Sequence, residues 1–303
     1  MTNEGFRSGF ACFVGRPNAG KSTLMNSLVG EKVAIMSSRP QTTRRAIRGI
    51  VHRDDAQLVI VDTPGLHRPR TLLGERLNDL VRETFAEVDI IGFCLPADEK
   101  VGPGDQWIAR ELADARAPVI AIVTKVDKVS RAQVAEHLMA VSELGDFVDV
   151  VPVSSVKDVQ MDVLLGLLIK RLPYGPPLYP SGDVTDEPED VMIAELVREA
   201  ALEGVHDELP HSIAVVVEEM NEREQAADDP RVPILEIQVQ LYVERDSQKG
   251  IIIGKGGARL KEVGATARAG IERLLGRKVY LDLHVKVAKE WQRDPKQLGR
   301  LGF

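Results

Sequence analysis

Eight residues, Gly15-Arg16-Pro17-Asn18-Ala19-Gly20-Lys21-Ser22, narrow the folds open to this chain more than any other feature. Their spacing, G-x-x-x-x-G-K-[ST], is that of a phosphate-binding loop, which works only between a strand and a helix. Glycines let such a loop curl until backbone N–H groups face phosphate oxygens. A helix beginning near Lys21 turns its positive end on the same anion. The apolar run FACFVG at 10–15 supplies the strand. The pattern therefore predicts a P-loop NTPase domain built on a doubly wound α/β sheet. Lys21 would place a point charge at the β- and γ-phosphates, and the hydroxyl of Ser22 would ligate Mg²⁺, with Thr23 beside it.

The rest of the first half fits that sheet. Apolar runs at 46–52, 57–62, 89–95, 118–124 and 148–154 read as strands, and stretches such as LLGERLNDLVRETF and RAQVAEHLMAVSEL between them have helical period. In doubly wound sheets the loops after the strands carry the ligand site. Residues 173–190, PYGPPLYPSGDVTDEPED, are rich in Pro, Gly and acid and read as a stiff linker. Beyond it come a helix at 191–203, strands at 212–220 and 233–244, the apolar IIIG as a strand-to-helix junction, a helix running through LLG at 276, and a strand at 278–287. The order reads α-β-β-α-α-β. The expected division is a nucleotide domain at 1–173, a linker at 174–190, and a second, α+β domain at 191–303 ending in a basic tail.

Three further motifs fall in the loops after strands. Asp62-Thr63-Pro64-Gly65 ends the third strand, where Asp62 can reach Mg²⁺ through water and Gly65 offers an N–H to a γ-phosphate. Thr124-Lys125-Val126-Asp127 follows the fifth. The Asp127 carboxylate can accept from guanine N1–H and the 2-amino group, a donor pair that adenine lacks, so the implied ligands are GTP and GDP. Lys125 would lie over the base. Ser154-Ser155-Val156 would approach the base oxygen through backbone. Thr42 and Thr43, in RPQTTRR, are the candidates for a mobile loop that completes the Mg²⁺ shell, with Thr43 preferred. The residue after DTPG is Leu66, where Ras-like enzymes place a water-orienting Gln. Hydrolysis is then slow, or it draws on another group. Asn18 is the candidate ligand for a K⁺ ion in that role, the alternative being that it only shapes the loop. His67 reads as a solvent-facing neighbour.

In the second domain, Gly254-Lys255-Gly256-Gly257 matches the GXXG loop with which KH domains clamp single-stranded RNA, and basic Arg259 and Lys261 follow it. Net charge is −7, which alone argues against a polyanion partner. Residues 244–303, however, hold 14 Lys and Arg against 7 Asp and Glu, so this end is +7 and the remainder −14. Aromatics are scarce in this part, so RNA contacts should rest on phosphates and base edges. Two cysteines, Cys12 and Cys94, lie in apolar runs and read as buried thiols. No apolar run approaches bilayer length and no signal peptide is visible, which points to the cytoplasm. Peripheral association with the inner face of the cell membrane stays open, although no amphipathic anchor is seen.

GRPNAGKS, QTTR, DTPGLH, TKVD, PYGPPLYP and VERDSQKGIIIGKGGARLKEVG fall where the Era GTPases have them, and over nearly all of residues 9–303 the chain resembles that family. The resemblance implies a TrmE/Era-like GTPase domain joined to a type II KH domain. It also implies a monomeric ribosome-assembly factor that binds the 3′ end of 16S ribosomal RNA in the small ribosomal subunit, not DNA, under control of GTP. Departures are Thr124 for Asn, Ser155 for Ala, and His284 where relatives often have Trp. A single P-loop excludes the tandem-domain Der relatives, and the lack of a C-terminal cysteine motif disfavours TrmE-like tRNA modification. The competing reading is an RNA-binding module whose nucleotide domain regulates without hydrolysing.

Overall fold

The structure, a computed structural model, describes residues 5–36, 43–67, 69, 71–205, 212–222 and 233–303. The chain divides into two compact units, one of Met1–Arg70 with Gly74–Asp186, the other of Glu187–Phe303 with Thr71–Leu73.

The first unit runs β1 (Arg7–Val14), α1 (Lys21–Val29), β2 (Ile47–His52), β3 (Ala56–Asp62), α2 (Leu72–Glu87), β4 (Ile90–Pro96), α3 (Pro103–Ala113), β5 (Val119–Thr124), α4 (Arg131–Ser142), β6 (Asp149–Pro152) and α5 (Met161–Ile169). The strands line up as β2-β3-β1-β4-β5-β6, with only β2 antiparallel to its neighbour. Every residue of β3, β4 and β5 is buried, as expected for strands covered on both faces. Leu24 and Met25 of α1 and Leu164, Leu165 and Leu168 of α5 share one apolar cluster with Ile60 and Ile122. Val81 of α2, Ile108 and Leu112 of α3 and Val141 of α4 share the other with Val61 and Val123. That is the doubly wound arrangement. All six anticipated strands are present, and β1 begins three residues early because Ser8 N–H is taken by Pro173 O at 3.1 Å and Arg7 donates to Leu172 O. Cys12 and Cys94 are free and buried.

The anticipated linker is bonded to the sheet rather than merely stiff. Gln57 Oε1 accepts from the N–H groups of Leu178 (2.6 Å) and Tyr179 (2.9 Å), while its Nε2 donates to Tyr179 O at 2.9 Å. Ile50 N–H, on the outer side of β2, donates to Val184 O at 2.9 Å, and Thr185 Oγ1 donates to Arg48 O at 2.7 Å.

The second unit contains α6 (Glu189–Leu202), β7 (Ala214–Glu222), β8 (Leu235–Val243), α7 (Asp246–Ile253), α8 (Ala258–Leu275) and β9 (Val279–Val287). Its sheet is β7-β8-β9, antiparallel then parallel, and Ile193, Val197, Val263 and Ile271 pack on its apolar face. The α-β-β-α-α-β order holds, with one correction. Ile251–Ile253 are the last turn of α7, not a strand-to-helix junction. Gln248 explains the difference, because its Oε1 accepts from Glu244 N–H (2.9 Å) and Arg245 N–H (3.0 Å) and so starts a helix there. GKGG thus joins two helices. The basic tail is also folded: α9 (Pro295–Arg300) follows a short turn in which Trp291 is fully buried, donates to Ser212 O at 3.0 Å and stacks on Phe303.

Candidate functional site

Strand β1 delivers the phosphate loop and α1 takes over at Lys21. Gly15 has φ +154, and a Cβ there would lie 2.6 Å from Cys94 O. Gly20, at φ 91, caps α1 without any side-chain acceptor, which leaves the first amides of the helix to a ligand. Asn18 adopts φ 62, a left-handed conformation that Asn tolerates. The Lys21 ammonium is buried and donates to the carbonyls of Gly15 (3.4 Å) and Arg16 (3.3 Å). Burial pushes its pKa down, with Asp62 and Cys94 pulling the other way.

Three oxygens converge beside it. Ser22 Oγ donates to Asp62 Oδ2 at 2.6 Å, Thr43 Oγ1 donates to the same oxygen at 2.9 Å, and the two hydroxyls are 3.1 Å apart. Two hydroxyls and a carboxylate are hard donors of the kind Mg²⁺ takes. Thr42, the other candidate, lies outside the described residues.

The segment after β3 rests on the phosphate loop. A Cβ on Gly65 would sit 2.7 Å from Pro17 N and 2.9 Å from its Cα, so only glycine fits. Leu66 N–H donates to Gly15 O at 3.2 Å, and the Leu66 side chain is buried in the apolar cluster with Val14 and Val81. It presents nothing to water. The Thr63 hydroxyl donates to Phe13 O at 2.7 Å inside the fold, and Pro64 beside it is buried. His67 is half-buried rather than solvent-facing, with Nδ1 3.0 Å from Gly65 O and its carbonyl accepting from Asn78 Nδ2.

On the other side, Thr124 Oγ1 donates to Ala19 O at 2.7 Å, tying the TKVD turn to the phosphate loop. Asp127 Oδ1 accepts from Ser154 Oγ at 2.5 Å, whose oxygen accepts in turn from Lys157 N–H at 3.1 Å. Ser155 O receives Ser27 Oγ at 3.5 Å, and Val156 is exposed. Lys125 pairs with Asp98 at 3.4 Å, and Lys128 does so at 3.2 Å. Partial burial would raise the Asp98 carboxyl, but Lys128 and Lys125 outweigh it and hold the group below its ordinary range. A cleft of about 500 Å³ is lined by Pro17, Asn18, Gly20, Lys21, Ser22, Thr23, Thr43, Gly65 and Lys125. Ile35, Met36, Glu99 and Lys128 line it too and were missed from sequence. Of these, Glu99 had a usable signal, since it follows a strand on the ligand-bearing edge.

In the second unit Gly254, Gly256 and Gly257 all have positive φ (72, 59 and 80), and nothing lies within 4 Å of a Cβ on Gly256 or Gly257. Lys255 and Gly256 are exposed. A groove of about 370 Å³ continues from Gly257 along Leu260, Lys261, Gly264, Ala265 and Arg268 of α8, with Leu281 and Leu283 of β9 opposite. Arg268 was missed, although it lies seven residues after Lys261 on the same helix face. Arg259 is half-buried, and its guanidinium donates to Ala201 O (3.3 Å) and to Glu203 O, closing the C-terminus of α6.

Two family models match the chain, one described as a 50S ribosome-binding GTPase over residues 10–125 and one as a KH domain over 208–292. The GTPase Era of Mycobacterium avium (strain 104) is 67% identical over 98% of this chain and 99% of its own length. The belt of similarity is equally long for the GTPase Era of Streptomyces coelicolor, at 66% identity over 98% of this chain and 95% of that one. The chain belongs to the Era GTPase family. A solved structure of Era with MgGDPNP and nucleotides 1506–1542 of 16S ribosomal RNA superposes with a TM-score of 0.92 at 36% identity, covering 98% of this chain and 99% of that one. An Aquifex aeolicus Era variant bound to GDP and AlF4⁻ gives 0.91 at 36% identity, with the same coverage.

Against the family pattern, two of the three departures have local contacts that account for them, and nothing in the structure explains Ser155. Thr124 spends its hydroxyl on Ala19, a contact within the protein. His284 is an exposed β9 residue with Nε2 3.1 Å from Asp282 Oδ2, so the packing beneath it does not depend on its ring. Among the described residues no helix is long and apolar enough to cross a membrane.

Proposed function

We propose that this protein binds GTP, hydrolyses it to GDP and phosphate, and uses the cycle to control binding of the 3′ end of 16S ribosomal RNA during assembly of the small ribosomal subunit. The observation that carries the reading is the meeting of Ser22, Thr43 and Asp62 oxygens beside a buried Lys21. Ser22 and Thr43 would hold Mg²⁺ with Asp62 behind them, and the ion would supply neutralisation of phosphate charge. Lys21 exchanges its two carbonyl partners for β- and γ-phosphate oxygens. The backbone of Gly15–Thr23 cradles the phosphates, Gly65 N–H meets the γ-phosphate, and Asp127, aligned by Ser154, reads guanine. Lys125 covers the base, and Ser155 and Val156 approach it through backbone. Asn18 is the residue assigned to a K⁺ ion that aids turnover, since Leu66 contributes nothing to water. In the second unit Gly254, Lys255, Gly256, Gly257 and Lys261 take the RNA. The domains assigned are 1–173 and 191–303, acting in a cytoplasmic monomer.

The buried Leu66 also favours a second reading, in which the nucleotide domain regulates RNA binding without hydrolysis. Phosphate release measured with and without RNA, in K⁺ and in Na⁺ buffer, separates the two. Slow turnover that rises with RNA or K⁺ is expected; none in any condition would sink the enzyme reading.

A further inference from the structure

The side chain of Arg16, variable in the P-loop pattern, has an unusual set of partners. Its Nε donates to Asp105 Oδ1 at 2.7 Å, and a terminal nitrogen pairs with Glu99 Oε2 at 2.9 Å. Asp105 is almost fully buried, and its second oxygen accepts from Gly102 N–H at 2.9 Å, which fixes the start of α3. Room for the arginine stem is made by Gly104, where a Cβ would lie 2.8 Å from Arg16 Cδ. The backbone of the same arginine does different work. Its carbonyl accepts from the Lys21 ammonium and from Ala19 N–H at 3.2 Å. The next residue, Pro17, is the one on which Gly65 rests. One end of Arg16 is thus locked to a rigid helix, and the other sets the shape of the loop that presents Lys21.

We propose that Asp105 is a positioning residue for the phosphate loop, acting through Arg16 to hold the curl that receives the nucleotide phosphates. It touches no substrate. A charged hydrogen bond to a buried carboxylate holds its partner more firmly than an exposed pair does, because Asp105, unlike the part-exposed Arg16, cannot fall back on water. Burial works against the charge on Arg16, but Asp105 and Glu99 outweigh it and keep the guanidinium firmly protonated. The loop therefore enters the ligand-free state already shaped, and binding does not have to order it. This inference rests on the proposed nucleotide site.

The test is a double-mutant cycle on full-length protein, read by titration of a fluorescent GDP and by thermal unfolding. Asp105→Asn and Arg16→Gln are each expected to weaken GDP binding about tenfold, and the double variant to be no weaker than either alone. Arg16→Lys, which keeps the charge but loses the planar fork, should fall between wild type and Arg16→Gln. Losses that add, or variants that unfold earlier while the folded fraction binds GDP as tightly as wild type, would overturn the assignment. Should Asp105→Asn not fold, the Arg16→Gln and Arg16→Lys pair carries the test, and equal wild-type affinity in both refutes it. Wild-type protein that fails to bind GDP would instead remove the nucleotide reading itself.

Discussion

Two glycine-rich loops open two different helices in this protein, and their surroundings differ. The phosphate loop before α1 is crowded. A Cβ on Gly15 would meet a carbonyl, Gly65 abuts Pro17, Thr124 grips Ala19, and Asp105 holds Arg16. The loop between α7 and α8 is open, with nothing near a Cβ on Gly256 or Gly257 and positive φ at both. In the first loop neighbours forbid a side chain at Gly15, whereas in the second Gly256 and Gly257 answer to backbone conformation alone, and only Gly254, against Arg259, is crowded. Crowding suits a site that must hold a compact polyphosphate in one geometry. Openness suits a chain of nucleotides that must slide its backbone close to the protein.

The largest expected effect attacks the open loop. Replacing Lys255 and Gly256 together with Asp puts two negative charges against the RNA backbone and should weaken RNA binding about 100-fold or more, by filter binding, while GTP affinity stays unchanged. If both affinities fell together, the contrast between the loops would be wrong. Gly65→Ala attacks the crowded loop. The added methyl must push Pro17 aside, and GTP turnover should fall about tenfold with little change in RNA affinity. Gly257→Ala adds the same methyl where there is space, so only the left-handed backbone objects. About 1 kcal/mol of stability should be lost in urea unfolding.

The smallest effect concerns the support behind the crowded loop. His137 of α4 is buried near Asp105 and Arg16. Burial pushes its imidazolium below the usual range, Arg16 acts in the same direction and Asp105 opposes both. The unfolded chain therefore takes up the proton first, so stability present above the ordinary pKa is lost as pH falls through it. Between about pH 7.5 and 5.5 the wild-type melting temperature should drop by up to about 3 °C more than that of His137→Gln.

Much of this was legible in sequence because it is local. The G-x-x-x-x-G-K-S spacing, the alternating strands and helices, and the α-β-β-α-α-β order all depend on residues close together in the chain. What escaped depends on pairs far apart. Nothing near Arg16 announces Asp105, 89 residues on. Arg259 reads as one more cation beside GKGG until the end of α6 arrives beneath it. Nothing in DTPG announces that the carbonyl of Phe13 on the neighbouring strand claims the Thr63 hydroxyl. The III run before GKGG was misread because three β-branched residues suggest a strand, whereas Gln248 had already committed the segment to a helix.

The segment bonded along β2 has a further consequence. A sheet ends in an edge strand whose outward N–H and C=O groups can recruit another molecule's strand, and many proteins aggregate that way. Here Val184 O and the Thr185 hydroxyl occupy outward groups of Ile50 and Arg48, and Gln57 holds Leu178 and Tyr179 against the neighbouring strand. Proline-rich connecting chain therefore serves as a guard for the sheet. Cutting the protein near residue 175 to isolate its first unit would strip that guard away, and the shortened fragment should precipitate where one ending after residue 186 stays in solution.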